Sequence, residues 1–306
     1  MEAATRLKVF LALVVTIGVA ITANVAGAQE LGPHFKKLKD GIFVYSQKPA
    51  DSNATIILTS EGVVLIDSGH RPPDSVALAA AVKKLTSQPV RYLINSEPHT
   101  DHTMGHWMFS PPAVIIAHAG ATESMKQGLD PECVRKTVAE YSTVQEIKNF
   151  RPIWPHIEFH DRMTLHVGDR SFELRFLKSV HSEADTAIWM PNERIVFAAA
   201  SVGVKRFSNL RPFVKITDTL EAIKMMRGLN PEIVVPGHGP PGTVKILDDM
   251  ENYYTLLLER VGAMVKQGKS LEEIKKDLRM PETDDWEGKD RFPNNIEGAY
   301  RAVTGK

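Results

Sequence analysis

Six residues, Glu97-Pro98-His99-Thr100-Asp101-His102, constrain this chain more than any other stretch. Two carboxylates and two imidazoles follow almost directly on the apolar run Val90 to Ile94. Such a run reads as a strand, and a donor-rich segment at its end is how a metal site is built on a loop. On an extended segment, alternation points Glu97, His99 and Asp101 the same way, while a turn after Asp101 brings His102 to a second position. Two adjacent metals then become possible. A lone His-x-x-His more often marks an exposed polar loop, so the case rests on two further histidines downstream. His181 closes the apolar run that includes Phe176, Leu177 and Val180. His238 lies in Ile233-Val234-Val235-Pro236-Gly237-His238-Gly239, where the glycines allow tight turns and close backbone approach. Three histidine-bearing loops at three strand ends can converge at one edge of a sheet.

With these loops in this order, the chain resembles the metallo-β-lactamase superfamily. That family's metal motif reads His-x-His-x-Asp-His, then a distant His, an Asp or Cys after another strand, and a late Gly-His-Gly. The resemblance runs from about Gly41 to Pro240. It implies an α/β fold, the αββα sandwich of two βα halves, here with a C-terminal helical extension. It also implies that His99 and His181 bind a first metal and that Asp101, His102 and His238 bind a second. Asp67, at the end of Val63-Val64-Leu65-Ile66-Asp67-Ser68-Gly69, matches the strand-end Asp that supports the metal loop.

Two departures matter. Glu97 stands where the family has its first histidine and is expected to bind the first metal through its carboxylate. The position that often carries a bridging Asp or a Cys, after Arg194-Ile195-Val196-Phe197, falls on Ala200 with Ser201 beside it. Secreted β-lactamases of the third subclass also lack that bridging side chain, and some resemble this chain in substituting the first histidine. A carboxylate in place of an imidazole makes the ligand set harder and more anionic. Zinc, one or two ions per chain, is the expected cofactor, with manganese or iron admitted. His106, where the family usually has Asn, is expected beside the site together with Ser201 and Asp67. His70 and His118 are further candidates for hydrogen bonding near it. Trp107, Met108 and Phe109 either form an apolar wall or pack as a helix face.

Strand patterns cover Gly41 to Tyr45, Thr55 to Leu58, Val63 to Ile66, Arg91 to Asn95, Val114 to Ala117, Phe172 to Val180, Thr186 to Met190 and Ile195 to Ala199. Helices are expected over Pro73 to Leu85, Thr122 to Gln127, Cys133 to Lys148 and Leu220 to Leu229. Past the metal motifs, Ile246, Met250, Tyr253, Leu257, Val261 and Met264 recur at helical spacing and predict one long amphipathic helix. Ser270 followed by Glu273 is a capping-box pattern for a further short helix, which Pro281 limits. The remainder, with Trp286, Phe292 and Tyr300, either packs on the body, covers the site or serves as a docking surface. The domain reading is a signal peptide over 1–28, a metallo-β-lactamase-like domain over 29–244 and a helical extension over 245–306.

The signal peptide is read from Arg6 and Lys8 before the apolar run Val9 to Ala20, and from Ala26-Gly27-Ala28 before Gln29. An uncleaved anchor is the alternative, since Val9 to Gly27 is nearly long enough to span a bilayer. A periplasmic or secreted protein follows, with no stable membrane association after cleavage. Cys133 is the only cysteine, so no intrachain disulfide forms. Formal net charge is zero and no dense Lys/Arg run appears, which argues against nucleic acid as a partner and for a small-molecule substrate.

A metal held by nitrogen and oxygen ligands with one position open lowers the pKa of its water to about 7. Hydrolysis of a cyclic amide or an ester follows, with Asp101 and His102 as the catalytic pair and no serine nucleophile. The leading expectation is a secreted, β-lactamase-like metallo-hydrolase. A lactonase or arylesterase of the same fold is the closest rival, because substrate choice sits in variable loops. A mononuclear iron oxygenase, for which Glu97 suits as a hard ligand, and a non-catalytic binding module belong to other classes.

Overall fold

The central strands are apolar on both faces because both faces are covered. In β3 (Ala54–Thr59) and β4 (Gly62–Ile66), Ile57, Val64 and Ile66 point to one side, and Ile56, Val63 and Leu65 to the other. The first set meets Ile188, Phe172, Leu174 and Phe197 of a second sheet; the second set meets Leu78 and Val82 of helix α1 (Pro72–Leu85). The period of two along each strand therefore assigns alternate residues to alternate layers. Burying one such Ile or Leu contributes about 1.5–3 kcal/mol.

The computed structural model describes residues 31–48, 51–129, 132, 134 and 150–305. The expected signal segment, Cys133 and the body of the helix expected over Cys133 to Lys148 lie outside the described residues. One sheet adds β1 (Phe35–Lys39) and β2 (Ile42–Tyr45) on one side of β3 and β4, and β5 (Val90–Ile94), β6 (Val114–His118) and β7 (Ile157–Phe159) on the other, in the spatial order β1 to β7. It is antiparallel up to β4 and parallel beyond. The other is built from β8 (Arg162–Val167), β9 (Arg170–Phe176), β10 (Thr186–Met190), β11 (Ile195–Phe197) and β12 (Ile233–Val235), with only β11 and β12 parallel. Two single-turn helices, α2 (Thr100–Thr103) and α3 (His106–Phe109), follow β5, and α4 (Ala121–Gly128) follows β6.

The outer face of the second sheet is covered by α5 (Ile216–Gly228) and the long α6 (Lys245–Lys266), with α7 (Leu271–Asp277) and α8 (Phe292–Thr304) beyond. Trp189, Val196 and Val234 pack there against Ile223, Met226, Leu247, Met250 and Leu257. The Ser270–Glu273 capping box is present, and α7 ends at Asp277, ahead of Pro281. The C-terminal residues pack on the body: Phe207 meets Tyr253, Trp286 and Phe292 with ring centroids 5.2–5.7 Å apart. Among the described residues no helix is long and apolar enough to cross a membrane.

Several elements differ from expectation. The strand expected over Phe172 to Val180 stops at Phe176, because Leu177 to Val180 turn to wrap the Asp185 carboxylate and Lys178 takes a φ of +64°. The strand expected to reach Ala199 stops at Phe197, and a 3-10 turn over Ala199–Ser201 comes next, with Ala199 at a φ of +49°. Strands β1 and β7 carry no clear pattern in the sequence, β1 because its lysines break the alternation on an exposed edge. Strand β8, which alternates Met163, Leu165 and Val167 with polar residues, and α8, which carries Ile296, Ala299, Tyr300 and Val303 at helical spacing, do carry one and are additions to the expected elements.

Candidate metal centre

The parallel pairing of β4 with β5, and of β11 with β12, sets the end of each strand beside its neighbour's. The residues just past these ends, Asp67, the loop from Ser96 to His102, Ala200 and His238, gather at one place. Thr186 N–H donates to the Ser96 carbonyl at 2.8 Å, tying the second sheet to the loop after β5. Asn53 bridges the same gap: its backbone N–H donates to the Gly237 carbonyl at 2.8 Å, and its side-chain amide to Pro236 and Gly239 at 2.7 and 2.8 Å. Gly237 has to be glycine. A Cβ there would lie 2.5 Å from the Ala199 carbonyl oxygen, inside van der Waals contact.

His99 lies on extended backbone, but Asp101 and His102 do not. They sit on the single turn of α2, capped by His99, so helical geometry rather than strand alternation separates their side chains. The His102 carbonyl accepts from Ser68 N–H at 3.1 Å and Ser68 Oγ at 2.9 Å. Its Nδ1 faces Asp67 Oδ2 at 2.8 Å, and Asp67 is itself fixed by Ser96 N–H at 2.8 Å and Ser96 Oγ at 2.5 Å. A carboxylate at Nδ1 keeps the proton there and turns the Nε2 lone pair inward, the arrangement that orients a metal-binding histidine.

At the centre is Glu97, with 1% of its surface exposed. Its Oε2 contacts His99 Nδ1, and its Oε1 lies 3.1 Å from His102 Nε2 and 3.9 Å from His181 Nε2. Two groups of three potential ligands result, Glu97 with His99 and His181, and Glu97 with His102 and His238; within each group the donor atoms lie within 4.8 Å of one another. Asp101 Oδ2 stands beside the second group, 3.8 Å from His102 Nε2 and 3.5 Å from His238 Nε2. Glu97 Oε1 and His102 Nε2 are buried and face each other at 3.1 Å, with no other partner among the described residues. Buried donor atoms that converge with only one another for company are what a cation would satisfy. The donor set, imidazole nitrogen with carboxylate oxygen, suits zinc, manganese or iron.

Charge divides the histidines. Burial pulls His102 down, but the Glu97, Asp67 and Asp101 carboxylates beside it outweigh this and hold it well above the ordinary imidazole value. His99 is likewise raised, because Glu97 overcomes its burial. The same pairing, against burial, keeps Glu97 well below the carboxylate range. His181 and His238 go the other way: burial pushes them down to about 3 and about 4, so both are neutral with a lone pair available. The His181 loop is built round Asp185, whose Oδ2 accepts from the N–H groups of Val180, His181 and Ser182 at 3.0, 2.6 and 2.8 Å.

A cavity of about 730 Å³ opens over this floor, the size of a small-molecule site. Its lining also includes Arg206, Arg211 and Arg291 with Val202 and Phe207; a fourth lining arginine, Arg71, is paired with Asp51. Arg211 donates to the His181 carbonyl at 2.7 Å, and Arg206 is lowered by burial and by the charge of Arg291. None of the three arginines lies in a motif. Arg291 comes from the C-terminal segment, whose start is stitched to the body where Phe207 N–H donates to the Glu287 carbonyl at 3.1 Å.

The other candidates divide between the cavity and its surroundings. His70 lines the cavity, accepting from Ser52 N–H at 3.1 Å, with its Nδ1 3.6 Å from Asp101 Oδ2. His106 is buried and does not line the cavity. Ala200 lines it, but the Ser201 hydroxyl turns away to the Ala198 carbonyl. His118 stacks on Phe176 with centroids 3.7 Å apart and accepts from Gly120 N–H, outside the cavity. Met108 and Phe109 pack under the first sheet and Trp107 against Phe150, so they form no wall of the cavity.

A family model described as the metallo-beta-lactamase superfamily matches residues 48–238, well over half of the chain and all of the donor loops. The chain belongs to the metallo-beta-lactamase superfamily. Its fold is that of the superfamily's metallo-hydrolases. The metallo-beta-lactamase from Pontibacter korlensis is similar over 71% of this chain and 96% of its own, with a TM-score of 0.57 and 21% identity. The stereoselective inverting sec-alkylsulfatase Pisa1 from Pseudomonas sp. is similar over 89% of this chain and 50% of its own, with a TM-score of 0.71 and 15% identity. In sequence, the 2,4-dinitroanisole O-demethylase subunit alpha of Nocardioides sp. (strain JS1661) is 25% identical over 179 residues, 58% of this chain and 49% of that protein. This superfamily member thus spans about half the length of the relative it matches.

Proposed function

We propose that this chain is a metal-dependent hydrolase, with zinc the expected ion, acting on a small substrate that carries a negative charge. The observation that carries the reading is the pairing, in one cavity, of a six-donor floor with an arginine wall. Glu97, His99, His181, Asp101, His102 and His238 would hold one or two ions. A bound ion would act as a Lewis acid and make its water acidic near neutral pH. Asp101, held below its ordinary range by His102 and His238 against the effect of burial, is ionised; it accepts a proton or orients a water rather than donating. Arg206, Arg211 and Arg291 would bind the substrate's anionic group, and Val202 and Phe207 its apolar body. Asp67 keeps His102 in register throughout.

The scissile bond remains a cyclic amide or an ester, and β-lactams, lactones and aryl esters all qualify. The arginine wall favours one further substrate class, anionic esters such as alkyl sulfates, the class named for the structurally similar sec-alkylsulfatase. The methoxy nitroarene named for the demethylase relative is a neutral contrast. Export after cleavage before Gln29 is part of the same proposal, supported by the charged start and apolar run of the N-terminus. The test is to purify the exported chain, sequence its N-terminus, count metals per chain and assay a β-lactam, a lactone, an aryl ester, an alkyl sulfate and a methoxy nitroarene. Turnover of any of these that depends on added zinc supports the reading. A metal-free chain that takes up no zinc would overturn it, and retention of Met1 in a membrane fraction would contradict cleavage.

A further inference from the structure

We propose that Glu97 is a ligand shared by two metal positions, not the terminal ligand of one. This rests on the metal-binding reading above and goes beyond it by assigning one side chain to both histidine pairs. Both candidate groups contain Glu97: His99 and His181 complete one, His102 and His238 the other. Its Oε2 faces His99 Nδ1, and its Oε1 borders both groups, 3.1 Å from His102 Nε2 and 3.9 Å from His181 Nε2. Among the described residues, every ion pair that Glu97 makes is with one of these histidines. No lysine or arginine there competes for the carboxylate.

The neighbouring positions leave this role to Glu97. At the end of β11, the other place from which a side chain could reach between the pairs, Ala200 offers no donor and the Ser201 hydroxyl is committed to the Ala198 carbonyl. Asp101 reaches only the side of His102 and His238. A carboxylate can accept through both oxygens at once, whereas a neutral imidazole has one lone pair. Two ions in hydrolytic sites sit about 3.5–4 Å apart, a span that one carboxylate can bridge. A carboxylate at position 97 can therefore serve both positions, where a histidine could serve one.

Zinc stoichiometry and affinity, read by competition with a chromophoric chelator, test this without an activity assay. His181→Ala and His238→Ala are each expected to lower the metal count from two to one. Glu97→Gln, which keeps the shape of the side chain, is expected to weaken both positions together, by more than the roughly 10–100-fold that loss of an outer-shell partner costs. Glu97→Asp keeps the charge but is one methylene too short to reach both pairs, so it should hold one zinc near native affinity and lose the other. It also guards against a Gln variant that fails to fold. A Glu97→Gln protein that binds one zinc with native affinity would overturn sharing while leaving the metal site intact, as would a Glu97→Asp protein with two native sites. If His181→Ala and His238→Ala both keep the full metal count, the two histidine pairs are not the metal positions, and sharing between them fails; a native chain that takes up no zinc defeats the metal-binding reading itself.

Discussion

The loop after β5 and the loops of the second sheet bring the same side chain to the cavity floor in opposite charge states. Glu97 holds His99 and His102 above the ordinary imidazole value, whereas at His181 and His238 burial outweighs the nearby carboxylates and leaves both neutral. The scaffolding differs in the same way. His102 is held by a side-chain carboxylate, Asp67, whereas His181 is held through its backbone, which wraps Asp185. The first half of the centre is thus an ion-pair network and the second a pair of neutral donors at its edge. Neither half completes a set of three donors without Glu97 or the other half. A site assembled from two sheets therefore depends on the contacts that hold their edges together, Thr186 to Ser96 and Asn53 to Gly237.

The sharpest way to break the comparison is His102→Ala. It removes a proposed metal ligand and leaves the buried Asp67 without its imidazole partner, a loss of about 3–5 kcal/mol for a broken buried pair. Metal content should fall by at least one ion per chain and hydrolysis to background. Elemental analysis of the folded variant checks this, and an unchanged metal count would sink the assignment of His102. Asp185→Ala probes the other half. It strips the acceptor from three backbone N–H groups, at about 1–3 kcal/mol for each donor left buried and unpaired. The His181 position should lose roughly 10–100-fold in zinc affinity, as for other orienting partners, with His102 and His238 keeping theirs. Equal weakening at both positions would show that the halves are not separately supported.

Legibility from sequence divides along the same line. The donor loop is readable because its chemistry is local: four donors in six residues after an apolar run leave few alternatives. His181 and His238 are readable only in combination with it, since each alone is one histidine at a strand end. The sequence places Glu97 at the first metal only, because a linear motif assigns one residue to one site and does not show two histidine pairs closing on one carboxylate. The arginine wall is not readable at all. Arg206 and Arg211 come from an irregular segment and Arg291 from a turn some 80 residues later, and they meet only because Phe207, Tyr253, Trp286 and Phe292 pack together. The aromatic content of the C-terminal stretch suggests packing but gives no sign that an arginine enters the cavity. The layered fold is largely legible from strand alternation, and the reading fails at the lysine-rich edge strand β1 and where turns round Asp185 and Ala199 interrupt the period.

The arginine wall tests whether the cavity has two functional sides. Arg291→Ala should raise KM for an anionic substrate about 10-fold or more, as expected for loss of a charge-assisted hydrogen bond, and leave metal content alone. KM for a neutral substrate should hardly move. Equal effects on charged and neutral substrates would show that Arg291 supports the C-terminal packing and not the ligand.

The smallest effect is also the most direct measure of the charge contrast. Metal ligands must be deprotonated, so binding to a protonated histidine releases a proton and binding to a neutral one does not. Glu97 and its neighbours raise both His99 and His102, His102 the further, so these two carry the protons that metal would displace, while His181 at about 3 and His238 at about 4 have none to give near pH 7. Zinc binding should therefore release about one proton for each loop histidine engaged. Calorimetry in buffers of different ionisation enthalpy counts them from the slope of observed heat against buffer heat. The sign is set by the raised values: zinc affinity climbs as pH rises from neutrality through them and levels off above. His99→Ala should lower the count by about one, and His181→Ala should lower affinity with the count for the remaining ion unchanged. A release that falls as much for His181→Ala as for His99→Ala would mean that the two halves carry the same charge, and the contrast drawn from their carboxylate neighbours would be wrong.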